Sequence, residues 1–381
     1  MSLMTASGSA LDASLETARE NLDAILDRGR LHYAGTAPAA TPVDEPSGAA
    51  GTSAAAATVD LTLVRRAALF ASTGVNRDGT FEDPQTAVLA DLGRDLRKYG
   101  VGTDHYAAIG EAATRAITEV FGCPDPGTDL TYRHAEELGI PDGVTELLQV
   151  VDHAVRIAAL GAVEDEDAGI PATLPATVLE VERRTPRVTV VRLAADLSRP
   201  KANTGWPGQY LEVRSAHSPT SWRKMASAIP PNPDGYLEFH LSHPVGDAHA
   251  VSAGDTWVVA NPTGALEVPE AARNVLMVAV DDGLAALRSL VLDLSSKQQR
   301  PQVHLYWSTG NPEDLHEQVG LEGFDRGFDW FTFSVGTAAD AVADASLMDG
   351  ASYDTVLVAG TDTAATVAAL DGLPGTPRVI S

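Results

Sequence analysis

At Ile170-Pro171 the hydrophobic period of the chain changes, and that change limits what can fold on either side of it. Upstream, apolar residues recur at helical spacing over 61–72, 84–99, 104–121 and 142–161, with Gly and Pro punctuation near 122–127 and 139–143. Downstream, the stretches 177–181, 187–194, 209–214, 236–241 and 256–260 read as short strands separated by turn residues. Short strands at even spacing predict an antiparallel barrel. After Pro269 the pattern changes again. Apolar strands at 275–280, 303–308, 331–335 and 355–359 surround a helix at 284–294, which predicts a parallel, doubly wound sheet. The expected fold class is therefore multidomain: all-α, then antiparallel β-barrel, then α/β doubly wound of nucleotide-binding type.

Residues 11–30 form an amphipathic pattern with Leu15, Ala18, Leu22, Ile25 and Leu26 on one stripe, so 1–33 is expected to be an N-terminal helix. The next stretch, 34–59, is mostly Ala, Gly, Pro, Ser and Thr. It offers too little bulky apolar surface to offset the entropy of ordering and is expected to be a flexible linker. The remaining boundaries fall at 60–168 for the helical domain, 172–268 for the barrel and 270–381 for the α/β domain. Fifty-two acidic residues against 27 basic ones give a net charge of −25, which argues against nucleic acid and anionic membranes as partners. A single cysteine, Cys123, excludes an intrachain disulfide and any multi-cysteine cluster. The start of the chain lacks a basic and then apolar leader, and no apolar run is long enough to span a bilayer, so a cytoplasmic location is expected.

The stretch 92–112, LGRDLRKYGVGTDHYAAIGEA, reads as a helix ended by a left-handed Gly100 and followed by a second helix carrying Tyr106 and Ile109. It resembles the proximal haem segment of bacterial flavohaemoglobins, globin–reductase fusions that detoxify nitric oxide. In that family a histidine of this segment ligates the haem iron, and the aligned residue here is Leu96. Haem iron needs an axial nitrogen, sulfur or oxygen, and leucine has none. His105 aligns with a histidine that relatives also carry, so it is not a replacement ligand. The linker occupies the region where the family keeps its distal tyrosine. His32 and Tyr33 sit near its start, without the family motif around them. The 60–168 domain is accordingly read as a truncated globin-like unit.

The resemblance continues through the barrel and α/β domains, which match the ferredoxin-reductase-like module, and it implies FAD and nicotinamide sites. The family's Arg-x-Tyr-Ser flavin motif aligns with 223–226. Arg223, the residual flavin-phosphate candidate, is kept, but Met225 and Ala226 replace the two hydroxyl residues. The helix that meets the flavin pyrophosphate is shortened around 243–255. The glycine-rich dinucleotide turn aligns with Asp281-Asp282-Gly283, where two carboxylates replace two glycines. Like charges a few ångströms apart repel by roughly 4 kcal/mol at an effective dielectric near 20. Asp281 and Asp282 are also suited to capping the following helix. The family's terminal cysteine turn is Gly360-Thr361-Asp362 here.

On this pattern no haem, FAD or NAD(P) is expected to bind, with Leu96, Met225, Ala226, Asp281 and Asp282 as the degenerate positions and no catalytic residue. No metal site is expected either, since His217, His240 and His243 read as scattered strand histidines. The resulting expectation is a non-catalytic regulatory or scaffold protein. The linker holds Thr41, Thr52 and Thr58 as phosphorylation candidates for a serine/threonine kinase. Asp44 stands three residues after Thr41, a spacing that phosphothreonine-reading forkhead-associated domains favour. The alternative is a divergent FAD- and NAD(P)H-dependent oxidoreductase anchored on Arg223.

Overall fold

The structure is a computed structural model. It describes residues 4–39, 43–46, 59, 61–215, 218, 220–243, 251–264, 266–311, 314–347, 353–360, 363–370 and 378–380. The chain divides into two compact units, one of residues 1–43 and 57–172 and one of 44–56 and 173–381. Thr41, Thr52, Thr58 and His217 lie outside the described residues.

The first unit is all helical: α1 (Met4–Glu20), α2 (Leu22–Thr36), α3 (Leu61–Ala71), α4 (Asp83–Leu96), α5 (Tyr106–Phe121), α6 (Tyr132–Leu138) and α7 (Asp142–Asp167). Residues 1–33 are not a separate element. Leu11, Leu15 and Ile25 share one core with Ala116 and Ile117 of α5 and with Leu147 and Leu148 of α7. A helix with one apolar stripe needs such a partner, because most helical stability comes from burying that face. Gly100 takes the expected left-handed conformation, φ 79°, after the turn 97–99. Helices α4 and α7 touch backbone to backbone. A Cβ on Gly93 would lie 1.8 Å from the Ala158 carbonyl oxygen, and one on Gly161 would lie 2.1 Å from that of Ala90.

The second unit holds both sheets. Strands β1 (Thr173–Arg183), β2 (Val188–Ala195), β3 (Tyr210–Arg214), β4 (Arg223–Ala226), β5 (Tyr236–Ser242) and β6 (Thr256–Ala260) form an antiparallel sheet in the order β4-β3-β6-β1-β2-β5. Ala228 N–H donates to Glu238 O at 2.7 Å, stitching the chain after β4 to β5, so the barrel is nearly closed. Its interior is filled by alternate residues such as Val191, Leu193, Leu211, Val213, Leu237 and Phe239. The second sheet is wholly parallel, with order β11-β10-β7-β8-β9. Its strands are β7 (Asn274–Val280), β8 (Gln302–Ser308), β9 (Phe331–Val335), β10 (Thr355–Gly360) and β11 (Arg378–Ile380). Helices α8 (Leu284–Ser296), α9 (Gln318–Gly327), α10 (Ala338–Leu347) and α11 (Ala364–Ala369) alternate with them. Central β7 is buried on both faces, Val275, Met277 and Ala279 in one core and Leu276 and Val278 in the other. Two-sided burial is why it reads as a continuous apolar run. No helix among the described residues is long and apolar enough to cross a membrane.

Part of the expected linker is ordered. Asp44 accepts two hydrogen bonds from Arg199, at 2.7 and 2.8 Å, and one from Thr173 Oγ1 at 2.9 Å. Arg214, fully buried, donates to the Asp44 carbonyl at 2.6 Å and pairs with Glu45 at 3.3 Å. Pro46 is buried. Charge-assisted bidentate bonds of this kind offset the chain entropy that the composition alone suggested would win.

The helix contacts give a paired expectation for thermal unfolding. Gly93→Ala meets the α7 backbone and should lower stability by about 1–3 kcal/mol. Gly110→Ala meets only Val155 Cγ1 at 3.9 Å and should raise stability by about 0.5–1 kcal/mol, as expected for Gly replaced inside a helix.

Candidate functional site

Strand β4 forms the rim of a cleft at one end of the barrel, lined by Val213, Ser215, Ser218, Arg223, Met225, Leu241, Val251 and Trp257. Arg223 pairs across β3 with Val213, and its guanidinium is exposed with no ion pair or hydrogen bond among the described residues. Trp257 lines the same cleft. Its Nε1–H is buried and lacks an acceptor among the described residues. A free cation, an unused indole donor and two serine hydroxyls make a set that accepts oxyanions. The ring-facing positions differ. Met225 packs on the barrel core and Ala226 on the core of the parallel sheet, so neither supplies a hydroxyl. Tyr210, directly across from Ala226 on β3, brings a phenol to this place. Burial, helped by the charge of Asp282, pushes that phenol well above its ordinary range.

The turn that leads from β7 into α8 is built differently. Asp281 has φ 49°, a left-handed conformation in which aspartate is better tolerated than most residues. Its carbonyl accepts the Trp307 indole N–H at 3.0 Å. Gly283 is pressed on β10, since a Cβ there would lie 1.9 Å from Ala359 O. Capping by Asp281 and Asp282 is not what the structure shows. The N-cap positions of this turn and of α8 are held by Val280 and Gly283, so neither aspartate occupies one. Both aspartates are exposed, and two carboxylates at this turn do not fit the phosphates of a dinucleotide.

Between barrel and parallel sheet lies a polar cluster that pattern reading missed. Glu238 accepts from Arg192 at 2.7 Å and from Arg288 at 3.0 Å, with His240 Nε2 at 3.3 Å. Burial alone would raise the Glu238 carboxyl, but the bonds from His240 and Arg192 and the charge of Arg288 hold it down to about 2. Arg288, on α8, also donates to Ala228 O at 2.7 Å. His316 reaches His240, and burial with that neighbouring ring pushes it down to about 4. Of the other strand histidines, His243 is bound to Thr189 Oγ1 at 3.1 Å and stays outside the cluster.

In the helical unit, Leu96 is buried among Val101, Tyr106, Ala158 and Ala162. Tyr106 Oη donates to Gly93 O at 3.2 Å. The flanking basic residues are buried and paired, Arg97 with Asp165 at 3.2 Å and Lys98 with Asp95 at 2.6 Å. His105 Nδ1 is 3.2 Å from both the N and the O of Gly102, so its ring is held in its own turn. His32 lies 2.9 Å from Glu119 on the α2–α5 contact. A carbon side chain where the axial donor belongs does not fit haem iron.

A globin-like helical unit followed by a reductase-type barrel and parallel sheet defines the fold. Within it the architecture is that of a flavohaemoglobin. The chain superposes on the flavohemoglobin of Malassezia yamatoensis, determined with bound FAD and heme, with a TM-score of 0.67 over 98% of each chain at 12% identity. No protein-family model matches. Curated relatives include the electron transfer component of anthranilate 1,2-dioxygenase from Acinetobacter baylyi, 27% identical over 121 residues. Another is reductase component 2 of terephthalate 1,2-dioxygenase from Comamonas sp, 25% identical over 146 residues. The matches cover 30% and 36% of this chain, which spans 35% and 43% of those two relatives. These likenesses overturn the expectation of a chain without any cofactor.

Glu238→Ala should strand Arg192 and Arg288 and cost about 3–5 kcal/mol of stability. Glu180→Ala, at the exposed end of the same arginine, should stay within about 1 kcal/mol. Thermal unfolding of the two variants measures the contrast.

Proposed function

We propose that the chain is a flavin-dependent oxidoreductase of the flavohaemoglobin and ferredoxin-reductase type, holding FAD in the barrel cleft. The unpaired Arg223 guanidinium carries this reading. It stands on β4 at the place where the related motif meets the flavin phosphate, with Ser215, Ser218 and the Trp257 N–H as further donors. Bound FAD supplies one- and two-electron transfer. The chain's own residues orient it: Arg223 fixes the phosphates by charge, and Met225 and Ala226 set an apolar floor. Tyr210 keeps its proton, because burial and Asp282 oppose ionisation. The carboxylates of Asp281 and Asp282 disfavour a nicotinamide dinucleotide at the β7–α8 turn, so the electron donor belongs to another class.

The expected result is a purified protein that binds FAD, with Arg223→Ala weakening binding about tenfold or more, the loss of one charge-assisted bond. Asp281→Gly with Asp282→Gly should leave FAD affinity unchanged. Flavin fluorescence titration reads both. Equal affinity in wild type and Arg223→Ala would refute the assignment.

A second reading concerns the segment that carries Thr41 and Asp44. We propose that phosphorylation of Thr41 by a serine/threonine kinase creates a motif for a forkhead-associated partner acting in regulation. Asp44, the residue three places on, is held by Arg199 and Arg214. A partner that reads Asp44 must compete with them, so Arg199→Ala should tighten binding of the phosphorylated protein. Mass spectrometry after kinase treatment, followed by a binding assay, tests it; an unmodified Thr41 in cells would exclude it.

A further inference from the structure

We propose that His240, His316 and Glu317 form a site for a divalent transition metal of the zinc class, at the seam between the barrel and the parallel sheet. Their ligand atoms lie within 4.8 Å of one another. Nothing in this inference depends on the flavin reading.

The hydrogen bonds of the two rings fix where their lone pairs point. His316 Nδ1 is 2.7 Å from the Asp314 carbonyl oxygen, which can only accept, so Nδ1 carries the proton and Nε2 the lone pair. His240 Nε2 is 3.3 Å from a Glu238 carboxylate oxygen, which also only accepts, so in the neutral ring the lone pair is on Nδ1. Those two lone pairs face each other, His316 Nε2 to His240 Nδ1, at 3.0 Å. Neutral rings cannot rest in that geometry without a positive particle between them, either a shared proton or a metal ion.

Three features favour the metal. A carbonyl behind one imidazole and a carboxylate behind the other is the arrangement that orients metal-ligating histidines and raises their basicity. Glu317 supplies a third donor. It also pairs with Arg288 at 3.6 Å and Arg184 at 3.7 Å, contacts longer than hydrogen bonds that a metal ion must compete with for its carboxylate. The surrounding guanidiniums are already matched, Arg184 by Glu182 at 2.7 Å and Arg192 and Arg288 by Glu238. Zinc–nitrogen bonds of about 2.0–2.1 Å in tetrahedral geometry need the two nitrogens about 3.3–3.4 Å apart, a shift of a few tenths of an ångström. Three protein ligands, each only partly buried, leave a fourth position for water or a small ligand, as in open zinc sites.

The test uses full-length protein stripped of metal and titrated with Zn²⁺ by calorimetry. One equivalent should bind with micromolar or tighter affinity. His316→Asn and His240→Asn should each weaken binding by about 100-fold or more, and Glu317→Gln by about 10-fold. His153→Asn, in the helical unit, should bind as wild type. Circular dichroism establishes that each variant is folded. Should a histidine variant not fold, the visible spectrum of the Co²⁺-substituted wild type decides: intense bands of a four- or five-coordinate ion support the site, and weak six-coordinate bands overturn it. Absence of Zn²⁺ binding would identify the pair as proton-bridged only. That result, or undiminished binding in the folded His316→Asn and His240→Asn variants, overturns the proposal.

Discussion

The buried carboxylate of Glu238 ties the two halves of the reductase-type unit together. It sits on β5, takes one arginine from β2 and one from α8, and turns His240 toward the seam. Arg288 extends the tie to the carbonyl of Ala228, whose N–H donates to Glu238 O on β5. Removing a buried charge from water is costly, and the cost is met here by three donors to one carboxylate. Through Arg288 and His240 the carboxylate links β5 to α8 and to His316.

Much of the fold was legible because burial imposes periods. Strand β7 reads as unbroken apolar sequence since the sheet is covered on both sides. What was illegible depends on partners far away along the chain. Asp44 looks like any linker acid until Arg199 and Arg214, 155 and 170 residues on, close around it. His240 was weighed with His217 and His243, its neighbours in sequence, whereas its partner in space is His316, 76 residues away. Asp281 suited a helix cap by type, and the N-cap positions are held by Val280 and Gly283 instead.

The site itself was half legible. Leu96, Met225, Ala226 and the paired aspartates could be recognised as departures from the related motifs. What those departures mean depended on structure. Leu96 fills a packed core, and Arg97 and Lys98 beside it are buried and paired. Arg223 is the opposite case, an exposed arginine with no ion pair or hydrogen bond among the described residues. Electrostatics separates the two places: the barrel cleft is lined by the Arg223 cation, while the β7–α8 turn carries two exposed carboxylates.

That separation is tested most directly by diffraction from crystals of the full-length protein soaked with FAD. The expected result is flavin density in the barrel cleft, with phosphate oxygens in hydrogen-bond reach of the Arg223 guanidinium and the adenine end away from Asp281 and Asp282. An empty cleft at millimolar FAD, or flavin density placed away from Arg223, would contradict it.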